Sequence, residues 1–172
     1  MAWKPLLDGG QRDVALSVVR EIGTALNDPP PCSLLEPMPE NSARVTHASL
    51  GVGHAGTALG FGYLSRIHRD EPSYPANARR FIADAAQIIS KGISGPTLYG
   101  GFVGIAWVLA KLRAWNVVGI SDSSLAAVDK ALLTYVDRED WPNAVELIYG
   151  LAGCLVYALA RLPNPDAVRI LE

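Results

Sequence analysis

One short pattern, written three times, most constrains what this chain can fold into. It is a polar residue, Leu, two further residues, then Gly-x-x-Gly opening an apolar segment. The copies are Ser49-Leu-Gly-Val-Gly53-His-Ala-Gly56, Thr97-Leu-Tyr-Gly-Gly101-Phe-Val-Gly104 and Glu146-Leu-Ile-Tyr-Gly150-Leu-Ala-Gly153. Gly53 to Gly101 spans 48 positions and Gly101 to Gly150 spans 49. Recurrence at a period of roughly 20–50 residues marks a repeat architecture, in which each unit buries its apolar face against its neighbours.

The segments around the copies alternate in character. Residues 9–27 predict an amphipathic helix, with Val14, Val18, Ile22 and Leu26 recurring every fourth position, Asp8 as N-cap and Pro29 to Pro31 as the stop. Residues 28–48 read as a long loop rich in Pro, Ser and Asn. After the first copy, residues 54–68 predict an apolar helix. Residues 76–91 predict an amphipathic one whose stripe is Ala78, Phe81, Ile82, Ala85, Ile88 and Ile89, with Gly92 ending it. The second copy opens a helix over 102–114 that is apolar nearly all round and therefore buried on most sides. Ser121 or Asp122 caps a further amphipathic helix over 123–136, and the third copy opens an apolar helix ending at Leu162. Another amphipathic helix begins near Asp166. No convincing strand appears; Val117-Val-Gly-Ile120 is the nearest candidate. The expectation is an all-α fold with amphipathic helices outside and apolar ones inside: about three outer/inner pairs of a partial α/α toroid or solenoid, forming one domain over residues 1–172.

Composition excludes several classes. At net charge −2 with scattered Lys and Arg, the chain lacks the basic stripe of a nucleic-acid surface. No uncharged apolar run reaches the ~18 residues of a membrane span. The N-terminus lacks the apolar core of a signal peptide. Two cysteines, Cys32 and Cys154, are too few for a disulfide framework and sit in no metal-ligand spacing, which points to a cytoplasmic setting. Cys154 reads as a small buried residue and Cys32 as an exposed loop thiol. The chain is 49% hydrophobic, high for so small a domain with its large surface fraction, so part of the surface is expected to meet a partner.

The motif Glu146-Leu-Ile-Tyr-Gly150-Leu-Ala-Gly153 with its apolar follow-on resembles the lanthionine synthetase C-like cyclase family. The two earlier copies look like the same family's earlier repeats, and the opening Trp3-Lys-Pro-Leu-Leu-Asp8 is similar to bacterial members. The resemblance covers essentially the whole chain. It implies an α/α toroid whose inner helices begin at Gly-rich turns gathered around an active site. It also implies a zinc ion held by two cysteines and a histidine, and addition of a peptide cysteine thiolate to dehydroalanine or dehydrobutyrine to close a thioether ring. Zinc lowers the thiol pKa, so that the nucleophilic thiolate is present at neutral pH.

Residue by residue, the carry-over is short. Glu146 aligns with an acidic position implicated in proton handling, where the family more often has Asp. The fourth-repeat histidine and the zinc ligands have no counterpart here, so no metal ligand is assigned, and the chain reads as the N-terminal half of a cyclase-like protein. His54, Gly101 and Gly150, expected at the toroid mouth, are the candidates for substrate contact. Taken alone, the glycines read first as packing positions and His54 as a hydrogen-bonded structural residue. Arg79 and Arg80 read as a solvated face.

Half a toroid leaves inner helices without neighbours at its open edges. The chain is therefore expected to self-associate, to pair with a complementary half, or to be part of a longer one. Three functional readings follow. The first is a zinc-dependent cyclase, inactive as this chain alone. The second is a non-catalytic peptide-binding or scaffold module. The third, a carbohydrate-active toroid enzyme, is disfavoured because it needs paired carboxylates and only Glu146 is acidic at a motif position.

Overall fold

The structure, a computed structural model, describes residues 6–27, 45–90, 94–138, 141 and 144–172. The Trp3 to Pro5 opening, most of the Pro-rich stretch with Cys32, and Gly92 lie outside them. Contacts divide the chain, read from sequence as one domain, into two units, Met1–Ser33 and Leu34–Glu172.

The first unit is helix α1, Gly9–Ala25. Asp8 holds the N-cap position in an extended conformation, but its side chain caps no backbone amide, unlike the expectation. Val14, Val18 and Ile22 form the anticipated stripe, and all three are exposed.

The second unit carries the repeats. Residues 45–48, expected to close the long loop, are instead helical and lead into the first glycine turn. Six helices follow: α2 His54–Ile67, α3 Ser73–Ser90, α4 Phe102–Ala114, α5 Asp122–Val136, α6 Leu151–Arg161 and α7 Pro165–Leu171. No strand occurs among the described residues, and Val117–Ile120 is irregular. Asn116, at φ 57°, takes the left-handed conformation that ends α4, one that asparagine tolerates better than most residues.

The alternation read from sequence is the arrangement found. The apolar helices form one row in which α4 packs against both α2 and α6. The amphipathic helices lie outside: α3 covers α2, and α5 and α7 pack together and against α4 and α6 respectively. Helix α4 buries Val103, Ile105, Ala106, Val108, Ala110 and Leu112, positions running all round its axis. One cluster, from Val103 and Ala106 through Leu132 and Leu133 to Cys154, Tyr157, Ala158 and Ile170, joins α4, α5, α6 and α7. Between α2 and α4 a glycine permits close approach: a Cβ at Gly62 would strike the Leu112 side chain and crowd Trp115. Trp115 seals that end, tilted on Tyr63 at 4.8 Å between ring centres.

Two helix starts are well capped. Ser121 accepts the Ser124 amide at the head of α5, and Asn164 accepts two amides at the head of α7. Arg79, expected to be merely solvated, donates to the Val117 carbonyl at 3.1 Å and ties α3 to the turn after α4. Among the described residues, no helix is long and apolar enough to cross a membrane.

Candidate functional site

The inner helices α2, α4 and α6 start at Gly53, Gly101 and Gly150, which carry no side chain to cap them. Their first amides need other acceptors. Carbonyls of the preceding loop supply them: Gly104 donates to Thr97 at 3.3 Å, Phe102 to Gly95 at 3.2 Å, Leu151 to Ala144 at 3.0 Å and Ala152 to Val145 at 3.1 Å. Each loop thus folds tightly back over its helix start. A Cβ on Gly101 would run into the Gly95 carbonyl, and one on Gly150 into the Ala144 carbonyl. Both glycines are buried. Proposed from sequence as substrate contacts, they lie beneath the turn and shape it.

The polar residue opening the first and third motifs caps its own turn. The Ser49 hydroxyl accepts the Val52 amide at 3.3 Å. Glu146, with two oxygens, accepts two amides, Ile148 at 2.6 Å and Tyr149 at 2.5 Å. Its carboxylate is exposed and fixed at the turn. Each oxygen retains lone-pair capacity for a further proton donor.

The three turns are joined edge to edge. Gly51 donates its amide to the Tyr99 carbonyl, and Tyr99 donates to the Ile148 carbonyl, both at 3.1 Å. These are the same position in successive copies. The surface so formed is apolar and aromatic: Val52, Tyr99, Val145, Leu147, Ile148 and Tyr149 are all exposed, with Glu146 among them.

His54, expected to face the mouth, packs against α3. Its ring meets Phe81 edge-on at 5.4 Å, and Nδ1 stands 4.0 Å from an Asp84 carboxylate oxygen, too far for a hydrogen bond. Nδ1 is buried without a partner among the described residues. Burial lowers the His54 pKa, and Asp84 opposes that shift. The register explains the placement. Phe102 follows the turn glycine in the second repeat and lies against Tyr135 of α5, the corresponding outer helix. His54 occupies a seat between inner and outer helix.

Cys154 is fully buried, and its thiol donates to the Pro96 carbonyl at 3.0 Å. Burial pushes its pKa up from 9.0 to about 11, so it stays a protonated thiol at neutral pH. Among the described residues, no three His, Cys, Asp or Glu side chains stand close enough to hold a metal ion. Among the described residues, the buried Cys154 thiol is bonded to a carbonyl, and His54 packs on α3 with its Nδ1 unpartnered.

One constellation escaped the sequence reading. Asp129 is wholly buried in α5. It accepts the Tyr157 hydroxyl at 2.5 Å, Arg161 Nε at 3.1 and 3.2 Å and Arg161 Nη2 at 2.8 Å. Arg161 Nη1 reaches Asp122 at 3.0 Å, and Arg113 meets the same carboxylate at 2.6 Å. Arg113 foremost, then Arg161, holds the Asp122 carboxyl below its ordinary range. Burial foremost, then the bond to Asp129, pushes the Tyr157 phenol upward. A signal was present: Asp129 stands in register with Leu125 and Leu132, a charge at a core position. Beside the network, a cleft of about 610 Å³ lined by Arg113, Asn116, Asp122, Arg161 and Pro163 lies at the far ends of α4 and α6 from the glycine turns.

The sequence model of the family described as lanthionine synthetase C-like protein matches residues 44–168. The match takes in all three turns and starts within the second structural unit. No curated protein matches the chain.

Proposed function

The chain belongs to the lanthionine synthetase C-like family, and from that premise we propose that its three-turn surface holds a peptide on which thioether rings are closed. One observation carries the reading. The turns are hydrogen-bonded into one edge that exposes Val52, Tyr99, Ile148 and Tyr149, with the Glu146 carboxylate exposed on the third turn. Aromatic rings that are apolar on their faces and polar at one end suit an extended peptide with mixed side chains. Glu146 is assigned to proton handling. Its turn holds it through two amides, and each exposed oxygen retains lone-pair capacity for a further proton donor. The neighbouring residues bind and orient the peptide. Activation of the attacking thiol requires zinc donors that the described residues do not provide, so the chain alone is expected to bind without closing rings. We place it in the cytoplasm, where the free Cys154 thiol stays reduced.

A labelled peptide carrying one cysteine and one dehydroalanine tests this reading. Fluorescence anisotropy should show saturable binding, weakened about tenfold by Tyr149→Ala, the loss expected for one exposed aromatic contact. Binding that does not saturate, or that ignores the substitution, overturns it.

A non-catalytic peptide-binding module is the second reading. It is favoured by the use of both Glu146 oxygens as a turn cap. The two separate when a zinc-bearing half of a family cyclase is supplied. Ring closure, followed by mass spectrometry of unalkylated thiol, should appear and fall with Glu146→Gln under the first reading. Under the second it should not appear.

A further inference from the structure

At the opposite end of the inner helices from the hydrogen-bonded ladder of turns, the cleft beside the Asp129 network has the size of a small-molecule site, about 610 Å³. Its lining comes from two stretches, 110–125 and 160–165, both described throughout. Small residues open it: Ala110 and Ala114 on α4 and Ala160 on α6 line it, and Leu125 and Leu162 add larger apolar surface. None of its residues belongs to the surface of the turns.

An ion pair stands in this apolar lining with part of each partner unused. The side chain of Arg161 is 5% exposed and is held by the wholly buried Asp129. Arg161 passes Nη1 to Asp122 Oδ1 at 3.0 Å, and Arg113 Nη1 reaches the same oxygen at 2.6 Å. Asp122 Oδ2 accepts no hydrogen bond among the described residues. Arg113 uses one of the five N–H donors of a guanidinium. Both side chains are partly exposed, at 39% for Arg113 and 55% for Asp122, so a solute in the cleft can reach them. The charges sum to zero, Arg161 against Asp129 and Arg113 against Asp122. A simple anion or a simple cation therefore loses to one member of the Arg113–Asp122 pair what it gains from the other.

The unused groups of this pair are neighbours, because the pair itself is only 2.6 Å apart. A ligand that satisfies both must carry its own cation and anion on adjacent positions. We propose that the cleft binds a free α-amino acid with a large apolar side chain. Its ammonium donates to Asp122 Oδ2, its carboxylate accepts from the unused Arg113 N–H groups, and the four charges alternate in a closed ring. The Asn116 side-chain amide lines the same cleft, has no partner among the described residues and adds a donor for the carboxylate. The apolar side chain lies along Ala110, Ala114 and Leu162. Each polar contact is a partly exposed ion pair of modest worth, so the affinity is in the millimolar range. The proposal does not depend on peptide binding at the turns.

Two-dimensional amide NMR of the intact chain, titrated with L-phenylalanine, tests it. The Asn116, Asp122 and Leu162 resonances should shift saturably, and those of Gly51 and Tyr99 on the turns should stay still. Phenethylamine, which lacks the carboxylate, and 3-phenylpropanoate, which lacks the ammonium, should each bind at least tenfold more weakly. Arg113→Gln should weaken L-phenylalanine about tenfold. Ala114→Leu, at an exposed position, fills the cleft and leaves its charges in place, so it should abolish binding whatever Arg113→Gln does to the fold. The absence of a saturable shift overturns the proposal. So does equal binding of either singly charged analogue, the mark of a plain anion or cation site. Binding that survives both substitutions overturns it too, as do shifts centred on the turns.

Discussion

Asp129 shows how much one residue can carry. A wholly buried carboxylate is tolerable only when paired and hydrogen-bonded, and here Arg161 and Tyr157 together satisfy it. Removing it leaves Arg161 buried beside the exposed Asp122 alone. Asp129→Ala should therefore cost about 3–5 kcal/mol in urea denaturation, and Tyr157→Phe, which leaves the ion pair intact, only about 1 kcal/mol. Cys154 carries a pH signature. Its folded pKa of about 11 lies above the 9.0 of an ordinary thiol, because burial penalises the thiolate. The folded state then binds its proton more tightly than the unfolded state, so stability falls as pH rises from 9.0 towards 11. A Cys154→Ala variant should lose that part of the slope when both proteins are unfolded across the window.

At the scale of the element, the glycines divide by what surrounds them. Gly101 has its own turn's backbone where a Cβ would go, and backbone cannot step aside as a flexible side chain can. Gly101→Ala should cost about 3 kcal/mol or more and lower the yield of folded protein. Gly60 lies within α2, is exposed and has nothing near its Cβ position. There alanine removes only backbone freedom from the unfolded chain, and Gly60→Ala should raise stability by about 0.5–1 kcal/mol. Thermal unfolding of the two variants, which carry the same substitution, should move in opposite directions. The helices themselves were legible in sequence because their periodicity expresses which faces are buried. The boundaries of α2, α4 and α5 fall within a residue or so of the expectation. Residues 45–48 were misread as loop because a single helical turn is too short to show a period.

At the scale of the whole molecule, the ladder turns three local motifs into one edge. Amide exchange should reveal it. The Gly51 and Tyr99 amides are donors between repeats, so they should exchange only when neighbouring repeats separate. The Ile148 amide, bonded within its own exposed turn, should exchange faster by at least tenfold, a difference of about 1.4 kcal/mol in opening free energy. Equal rates would mean that the ladder opens as readily as a surface turn.

Spacing alone determined that this chain repeats, because a recurring Gly-x-x-Gly before an apolar run reflects a steric need that each unit meets locally. It also determined which helices lie inside, since apolar periodicity follows from burial. Tertiary structure decided the rest. That His54 packs against Phe81 and near Asp84, both distant in sequence, is visible only in the structure. That the loop carbonyls fold over Gly101 and Gly150 is likewise decided only by the structure. Asp129 acquires a meaning only when Tyr157 and Arg161, 28 and 32 positions away, arrive beside it. Local sterics and periodicity are written in short stretches of sequence, whereas the partner of a buried charge and the side of a helix that faces another are settled only when the chain closes on itself.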